Sequence, residues 1–300
     1  MGRMRLSAVL VVSRHEEVDA NLVHNPNALT LKESRQLISA GEARLRGAEA
    51  VLSIPGFARA ERMGERIAEL MHKEVGQRGV FFTGISSGLP RTKETIEHHL
   101  NGFKAFMQSK DVKLRGSGRA PGYALFSNPS LALRVPESVP HYPIGLEKAR
   151  MDERLVEVAR GKRFPEWEAL VVSNKRRTER GLKPIGYLTD VKRRMSQIHD
   201  VERLLTKNAL RTKPTDPVQV IEFDTHGGVE GNLFYIDRAV AKITRVPAGK
   251  IPGGSLERGA ALVHLIYTDG TRVSKKSVIL RREPGKKPDA RILPPVRRRK

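Results

Sequence analysis

The 300-residue sequence contains no cysteine. That absence excludes a disulfide framework, a thiolate zinc site, an iron–sulfur cluster and a cysteine nucleophile. Aromatic residues supply only 5%, with a single tryptophan, Trp167. No apolar run approaches the roughly 18 residues that a membrane span needs. The nearest imitation of a leader is Met1–Ser13, where Arg3 and Arg5 precede the apolar Leu6–Val12. It is short, lacks a small-residue cleavage site and runs into Arg14-His15-Glu16-Glu17, so it reads as a buried strand and the protein as cytoplasmic. Leu6 stands where a myristoylation signal has Ser or Thr. Acidic residues are scarce too: 33 Asp and Glu face 55 Lys and Arg, a net charge of +22.

That excess is local. Residues 271–300 carry a net +10 and residues 172–213 a net +8, which leaves the rest nearly balanced. Basicity therefore belongs to two segments, which are the expected binding regions for RNA or another polyanion. The other reading is a solvated surface that keeps the protein soluble. The last residues, 284–300, are proline-containing and end in Arg297-Arg298-Arg299-Lys300, the composition of a basic, flexible tail.

Periodicity gives the organisation. Leu6–Val12, Val80–Thr83 and Pro217–Phe223 read as strands, the first apolar enough to be buried on both faces. Thr30–Leu52 is largely helix-like. Arg59–Val75 places Met63, Ile67, Leu70 and Met71 on one helical stripe, and Thr92–Met107 does the same with Ile96, Leu100, Phe103 and Met107. Leu146–Ala159 and a stretch from Val229 look helical, and Tyr187–Leu210 is a clearer helix. Ala260–Tyr267 and Arg272–Leu280 flank Asp269-Gly270, a hairpin signal. Strand, helices, strand, helix is the order of an α/β sandwich. Residues 1–283 are expected to form one domain, with insertions at about 108–150 and 169–215 near the active site.

Three loops that carry histidine or arginine follow the three strands: Ser13-Arg14-His15-Glu16-Glu17, Ser86-Ser87-Gly88-Leu89-Pro90-Arg91 and Thr225-His226-Gly227-Gly228. Open α/β sheets bind ligands at the carboxyl ends of strands. Were these strands parallel neighbours, two histidines and two arginines would converge. Such a set suits a phosphoryl group, because guanidinium forks grip its oxygens and a neutral imidazole can attack phosphorus. The remaining histidines show no metal-ligand spacing, so neither a metal nor a cofactor is expected.

The motifs, in this order, resemble the histidine phosphatase superfamily, the phosphoglycerate-mutase-like phosphatases. The family's R-H-G-E-T-x-x-N is similar to Arg14-His15-Glu16-Glu17-Val18-Asp19-Ala20-Asn21. Its S-S-x-L-x-R-A-x-x-T is similar to Ser86–Thr95, and its strand-exit S-H-G-G to Thr225–Gly228. Its L-x-E-x-x-x-G and following W-E are similar to Leu155–Gly161 and Trp167-Glu168. The resemblance spans about two thirds of the chain. It implies a three-layer αβα sandwich around a mostly parallel central sheet, here followed by a C-terminal β-hairpin.

The activity implied is metal-independent hydrolysis, or mutase transfer, of a small phosphorylated substrate through a phosphohistidine. His15 would be the nucleophile, Glu157 the general acid, and Arg14, Arg91, His226 and Asn21 the phosphate-binding set. His226 would also take part in catalysis. Glu16 departs from the family glycine and Val18 from its threonine. Glu16 and the basic segments favour the alternative, a catalytically inactive phosphatase-like fold that binds RNA or another polyanion. The four site residues Arg14, His15, Arg91 and His226 favour the enzyme.

Overall fold

In the computed structural model, β1 (Arg5–Arg14) runs through the middle of a seven-stranded sheet. The structure describes residues 3–24, 35–37, 50–87, 89–116, 122–127, 175–176, 178–182, 187–225, 256–281 and 289–297. On one side of β1, strands β7 (Val218–Thr225), β5 (Val80–Ser86) and β6 (Tyr123–Ser127) follow in that order, every pairing parallel. On the other side come β8 (Ala261–Thr268), β9 (Arg272–Leu280) and β10 (Asp289–Arg297), every pairing antiparallel. Five strands thus share one direction and β8 and β10 oppose it, so the sheet is mixed, parallel in direction more than in pairing.

The apolar run of β1 is buried on both faces because helices cover both. Leu6, Val9 and Val11 pack with Met63, Ile67 and Met71 of α1 (Ile54–Val75) and with Leu100, Phe103 and Met107 of α2 (Pro90–Ser109). Ala8, Leu10 and Val12 pack with Ile198, Leu205 and Ala209 of α3 (Tyr187–Ala209). Leu6 and Val9 share a face despite their odd spacing, and a register shift against β8 between Leu6 and Ala8 accommodates this.

Helix α1 opens with Ser53, whose Oγ accepts from the Gly56 backbone N–H at 3.1 Å, and Pro55 fits the first turn. It crosses α2 at two glycines. A Cβ at Gly64 would lie 2.0 Å from the His99 carbonyl oxygen, and one at Gly102 would lie 1.9 Å from that of Glu61. The two backbones can approach this closely only because neither position carries a side chain.

The expected strands and helices at Leu6–Val12, Arg59–Val75, Val80–Thr83, Thr92–Met107, Tyr187–Leu210 and Pro217–Phe223 match observed elements of the same type, with Leu210 and Pro217 each one residue outside theirs. The hairpin forms as β8 and β9. Asp269 closes its turn by accepting from the Thr271 and Arg272 backbone N–H groups, and Gly270 takes φ +89°.

Four expectations need correction. Thr30–Leu52 contains two short strands, β3 (Arg35–Leu37) and β4 (Ala50–Leu52), which flank β2 (Val18–His24) in a second sheet ordered β3-β2-β4. The region around 169–215 contains α3, whose Ile198, Leu205 and Ala209 belong to the core against the sheet, so this part of it is a layer of the fold. Segment 108–150 contributes β6 to the sheet's edge. Within 284–300, residues Asp289–Arg297 form β10. Its Pro294 and Pro295 fall where the register against β9 shifts between Leu293 and Val296, and a strand at the sheet's edge tolerates the lost donors there. The stretches 146–159 and 229–255 lie outside the described residues.

Candidate functional site

The site is assembled by register. Ser13 and Arg14 on β1 pair with Asp224 and Thr225 on β7, and Asp224 pairs in turn with Ser86 on β5. The three strands that precede the three loops are therefore adjacent, parallel and level at their carboxyl ends. His15 follows β1 directly and is 6% exposed. Arg91 lies in the first turn of α2, which starts just beyond β5. Residue 226 itself is outside the described residues, but the strand that leads to it ends beside Arg14.

His15 Nδ1 lies 2.8 Å from the backbone carbonyl oxygen of Glu16, an acceptor that fixes the ring proton on Nδ1 and puts the lone pair on Nε2. Burial pushes the imidazole down from the ordinary 6.5 to about 3, with the charge of Arg91 acting in the same direction. The Glu16 carbonyl opposes this, and the charges of Arg14 and Arg258 add to the lowering. The ring is therefore neutral near pH 7. It has a lone pair, a fixed tautomer and three guanidinium groups within electrostatic reach.

A turn on the antiparallel side closes around the exit of β1. Arg14 Nη1 donates to the Leu256 carbonyl at 2.9 Å, the Gly259 N–H donates to the Arg14 carbonyl at 3.1 Å, and the Arg14 N–H donates to the Ala260 carbonyl at 3.1 Å. Gly259 has φ +71°, and a Cβ there would sit 2.1 Å from Glu16 Oε1. The Glu16 carboxylate thus packs against Gly259 and also accepts from Arg59 Nε on α1 at 3.4 Å. Arg59 holds Glu17 as well, at 2.6 Å. The Glu16 carboxylate is therefore engaged by a cation from α1. The Glu16 N–H donates to Thr95 Oγ1 on α2 at 3.3 Å, and Thr95 donates to the Arg91 carbonyl at 2.8 Å, which links both loops.

Arg258 is the site residue that sequence reasoning missed. The loops sought were those after strands, whereas Arg258 precedes one. Because β8 is antiparallel to β1, its start at Ala261 lies opposite Ser13, at the same end of the sheet. The visible signal was Arg258-Gly259 immediately ahead of an apolar run. A buried polar group of Ser13, His99, Glu222 and Asp224 was also missed.

The other expected site residues are not brought together here. Glu157 and His226 lie outside the described residues, and Asn21 is placed only as a backbone position on β2. Among the described residues, no group of three or more His, Asp or Glu side chains could hold a metal ion. No helix among them is long and apolar enough to cross a membrane.

No protein-family model and no curated protein matches the chain. Solved structures do. A phosphoglycerate mutase from Plasmodium falciparum is 12% identical, with 96% of this chain and 99% of that one covered, at a TM-score of 0.38. A phytase from Klebsiella sp. ASR1 is 13% identical, covering 92% and 82%, at 0.36. A multiple inositol polyphosphate phosphatase from Bifidobacterium longum, in complex with inositol hexasulfate, is 11% identical, covering 93% and 86%, at 0.38. Similarity at this level transfers no residue's role to the present chain.

Proposed function

We propose that the chain is a phosphomonoester hydrolase or mutase that works through a phosphohistidine on His15. One observation carries the reading: a buried, neutral His15, its Nδ1 proton held by the Glu16 carbonyl, within electrostatic reach of Arg91, Arg14 and Arg258. Neutral imidazole is the nucleophilic form, and fixed cations stabilise the charge spread over the transferring phosphoryl oxygens.

Nε2 of His15 attacks phosphorus in line, and the bond to the ester oxygen breaks. Glu157 gives its proton to the leaving alkoxide. Water, deprotonated by Glu157, then attacks the phosphohistidine, which releases inorganic phosphate and restores neutral His15. In a mutase, a substrate hydroxyl replaces that water. Arg14, Arg91, His226 and Asn21 bind the phosphoryl oxygens. No metal or cofactor takes part in these steps.

The test is phosphate release from an aryl phosphate in the presence of a chelator, by wild type and His15→Ala. Turnover by wild type, its loss in the variant, and an acid-labile, alkali-stable phosphoryl label on wild type alone are expected. Metal-dependent turnover, or activity that survives in His15→Ala, overturns the reading.

A second reading, an inactive fold that binds RNA or another polyanion, draws on the far edge of the sheet. There β9 and β10 place Arg272 opposite Arg297, with Lys275, Lys276 and Arg291 nearby in register. Arg272 is paired with Asp269 and Lys275 with Glu202 of α3, so any polyanion bound at this edge would draw on the remaining basic positions of β9 and β10. This edge is separated from β1 by β8, so polyanion binding there is compatible with chemistry at His15.

A further inference from the structure

Beneath the strand exits, on the face covered by α2, four polar side chains from the three elements that carry the candidate site meet out of reach of solvent. Ser13 comes from β1, Glu222 and Asp224 from β7, and His99 from α2; both acids are 0% exposed. Ser13 Oγ lies 2.9 Å from Glu222 Oε1 and 3.0 Å from Asp224 Oδ1. His99 Nδ1 lies 2.5 Å from the same Glu222 oxygen.

Proton counting constrains this arrangement. A serine hydroxyl has one hydrogen to donate. With two carboxyl oxygens at hydrogen-bond distance from one hydroxyl, one contact is Ser13 donating. The other is favourable only if that carboxyl carries a proton and donates to Ser13 Oγ. Two ionised carboxylates buried this close, with Glu222 Oε2 and Asp224 Oδ2 both lacking a hydrogen-bond partner, would be strongly disfavoured.

Glu222 Oε1 has a second partner in His99 Nδ1, whereas Asp224 Oδ1 has only Ser13 among the described residues. Asp224 is the better acid: burial and the neighbouring Glu222 push its pKa well up, a hydrogen bond donated by Ser13 and the charge of Arg91 would oppose the rise, and Glu16 adds to it; once Asp224 is the donor to Ser13, that hydrogen bond favours the neutral acid instead. The chain of donors then runs from Asp224 Oδ1–H to Ser13 Oγ–H to Glu222 Oε1, with His99 donating from the other side.

We propose that Ser13, His99, Glu222 and Asp224 are a proton-sharing cluster, and that the proton it holds keeps Asp224 neutral so that the charge of Arg91 serves the anionic substrate rather than an internal carboxylate. Asp224 is thus a positioning residue, acting through Arg91. The groups that face it are Glu222 on its own strand, Ser13 and Glu16 from β1 and its exit, and Arg91 from α2. Its register partner on β5 is the uncharged Ser86. The functional half rests on the phosphatase reading; the proton itself does not.

The test uses full-length wild type and Asp224→Asn, which keeps the shape and a donor but cannot ionise. In infrared difference spectra at about pH 6, wild type should show the carbonyl stretch of a neutral carboxylic acid, and Asp224→Asn should lack it. Above the ordinary carboxylate range, the native state keeps a proton that the unfolded chain releases, so wild-type stability falls as pH rises. The melting temperature of the variant relative to wild type should therefore climb over that range.

For the aryl phosphate, the wild-type KM should rise several-fold on the alkaline side, with kcat little changed, and that limb should flatten in Asp224→Asn. Identical infrared spectra and parallel stability curves overturn the shared proton. A shared proton with identical KM–pH limbs overturns the positioning role. A wild type with no phosphatase activity overturns the phosphatase reading, and with it the substrate half of the proposal, while the infrared and stability measurements still decide the proton.

Discussion

Ser13 and Asp224 stand side by side on adjacent parallel strands, 211 positions apart in sequence, with Ser13 Oγ 3.0 Å from Asp224 Oδ1. The same register sets His15, one residue past β1, next to the strand end from which position 226 emerges. Parallel pairing of β1 and β7 is thus what brings distant motifs to one end of the sheet. It also makes the site sensitive to anything that slides one strand against the other.

The depressed pKa of His15 has consequences for both rate and stability. With the ring neutral down to about pH 3, protonation of His15 should not produce an acid limb near pH 6 in kcat/KM. The unfolded chain, with an ordinary histidine, binds a proton through the window from 6.5 down to about 3 while the native state does not. Stability contributed by neutral His15 is therefore full above pH 6.5 and declines as pH falls, with a slope of at most about 1.4 kcal/mol per pH unit. Chemical denaturation of wild type and His15→Asn across this window should show a steeper acid loss in wild type; parallel curves would contradict a buried neutral ring.

Two glycines with positive φ separate backbone strain from site disruption. Gly76 has φ +57° and open space where a methyl group would stand, whereas Gly259 has φ +71° and a Cβ there would meet Glu16 Oε1 at 2.1 Å. Gly76→Ala should cost about 1–2 kcal/mol of stability and leave turnover intact. Gly259→Ala adds overpacking worth about 1–3 kcal/mol, and it displaces the carboxylate held by Arg59 next to His15. A much larger fall in turnover for Gly259→Ala, compared at equal fractions folded, is the expected result.

Arg258 offers a third cation without a place in the recognised motifs. Arg258→Ala should raise KM for a phosphate ester more than it lowers kcat, since an exposed cation near His15 would contribute to binding the anion in ground and transition states alike. It should also move the His15 pKa slightly upward, which histidine NMR titration would detect. A fall in kcat with KM unchanged would assign Arg258 to the transition state alone.

Long apolar elements were legible in the sequence because burial on one or both faces leaves a periodic trace. That trace identified β1, α1 and α2, and the strand exits identified Arg14, His15 and Arg91. Glu222 and Asp224 were hidden by the same rule: acids alternating with Ile221 and Phe223 look like a solvent-facing side, whereas α2 covers them. The strands β3 and β4 are three residues each, too short for a period to register. Strand β10 was obscured by its two prolines, whose lost donors matter little at an edge. Arg258 escaped because it precedes its strand.

The place of β10 changes what removing the basic C-terminal segment should do. As a flexible tail, residues 284–300 could be deleted at no cost to the fold. As the source of an edge strand on β9, they cover backbone donors and acceptors along Arg272–Ile279 that truncation would expose. Deletion after Glu283 should therefore lower the melting temperature and promote association between chains. Replacing Arg297, Arg298, Arg299 and Lys300 by Gln keeps the strand and removes only charge. That variant should hydrolyse a small phosphate ester within a few-fold of wild type, because β8 and β9 stand between β10 and β1. If this edge binds RNA, each lost phosphate contact should flatten the dependence of log affinity on log salt by about 0.7–0.9, and fluorescence titration at several salt concentrations measures it. Residual binding should remain, carried by the net +8 of residues 172–213. Wild type with no salt-dependent binding would reduce the basic edge to a solubility device. A Gln variant that loses small-ester hydrolysis would instead tie the C-terminal charges to the site at His15.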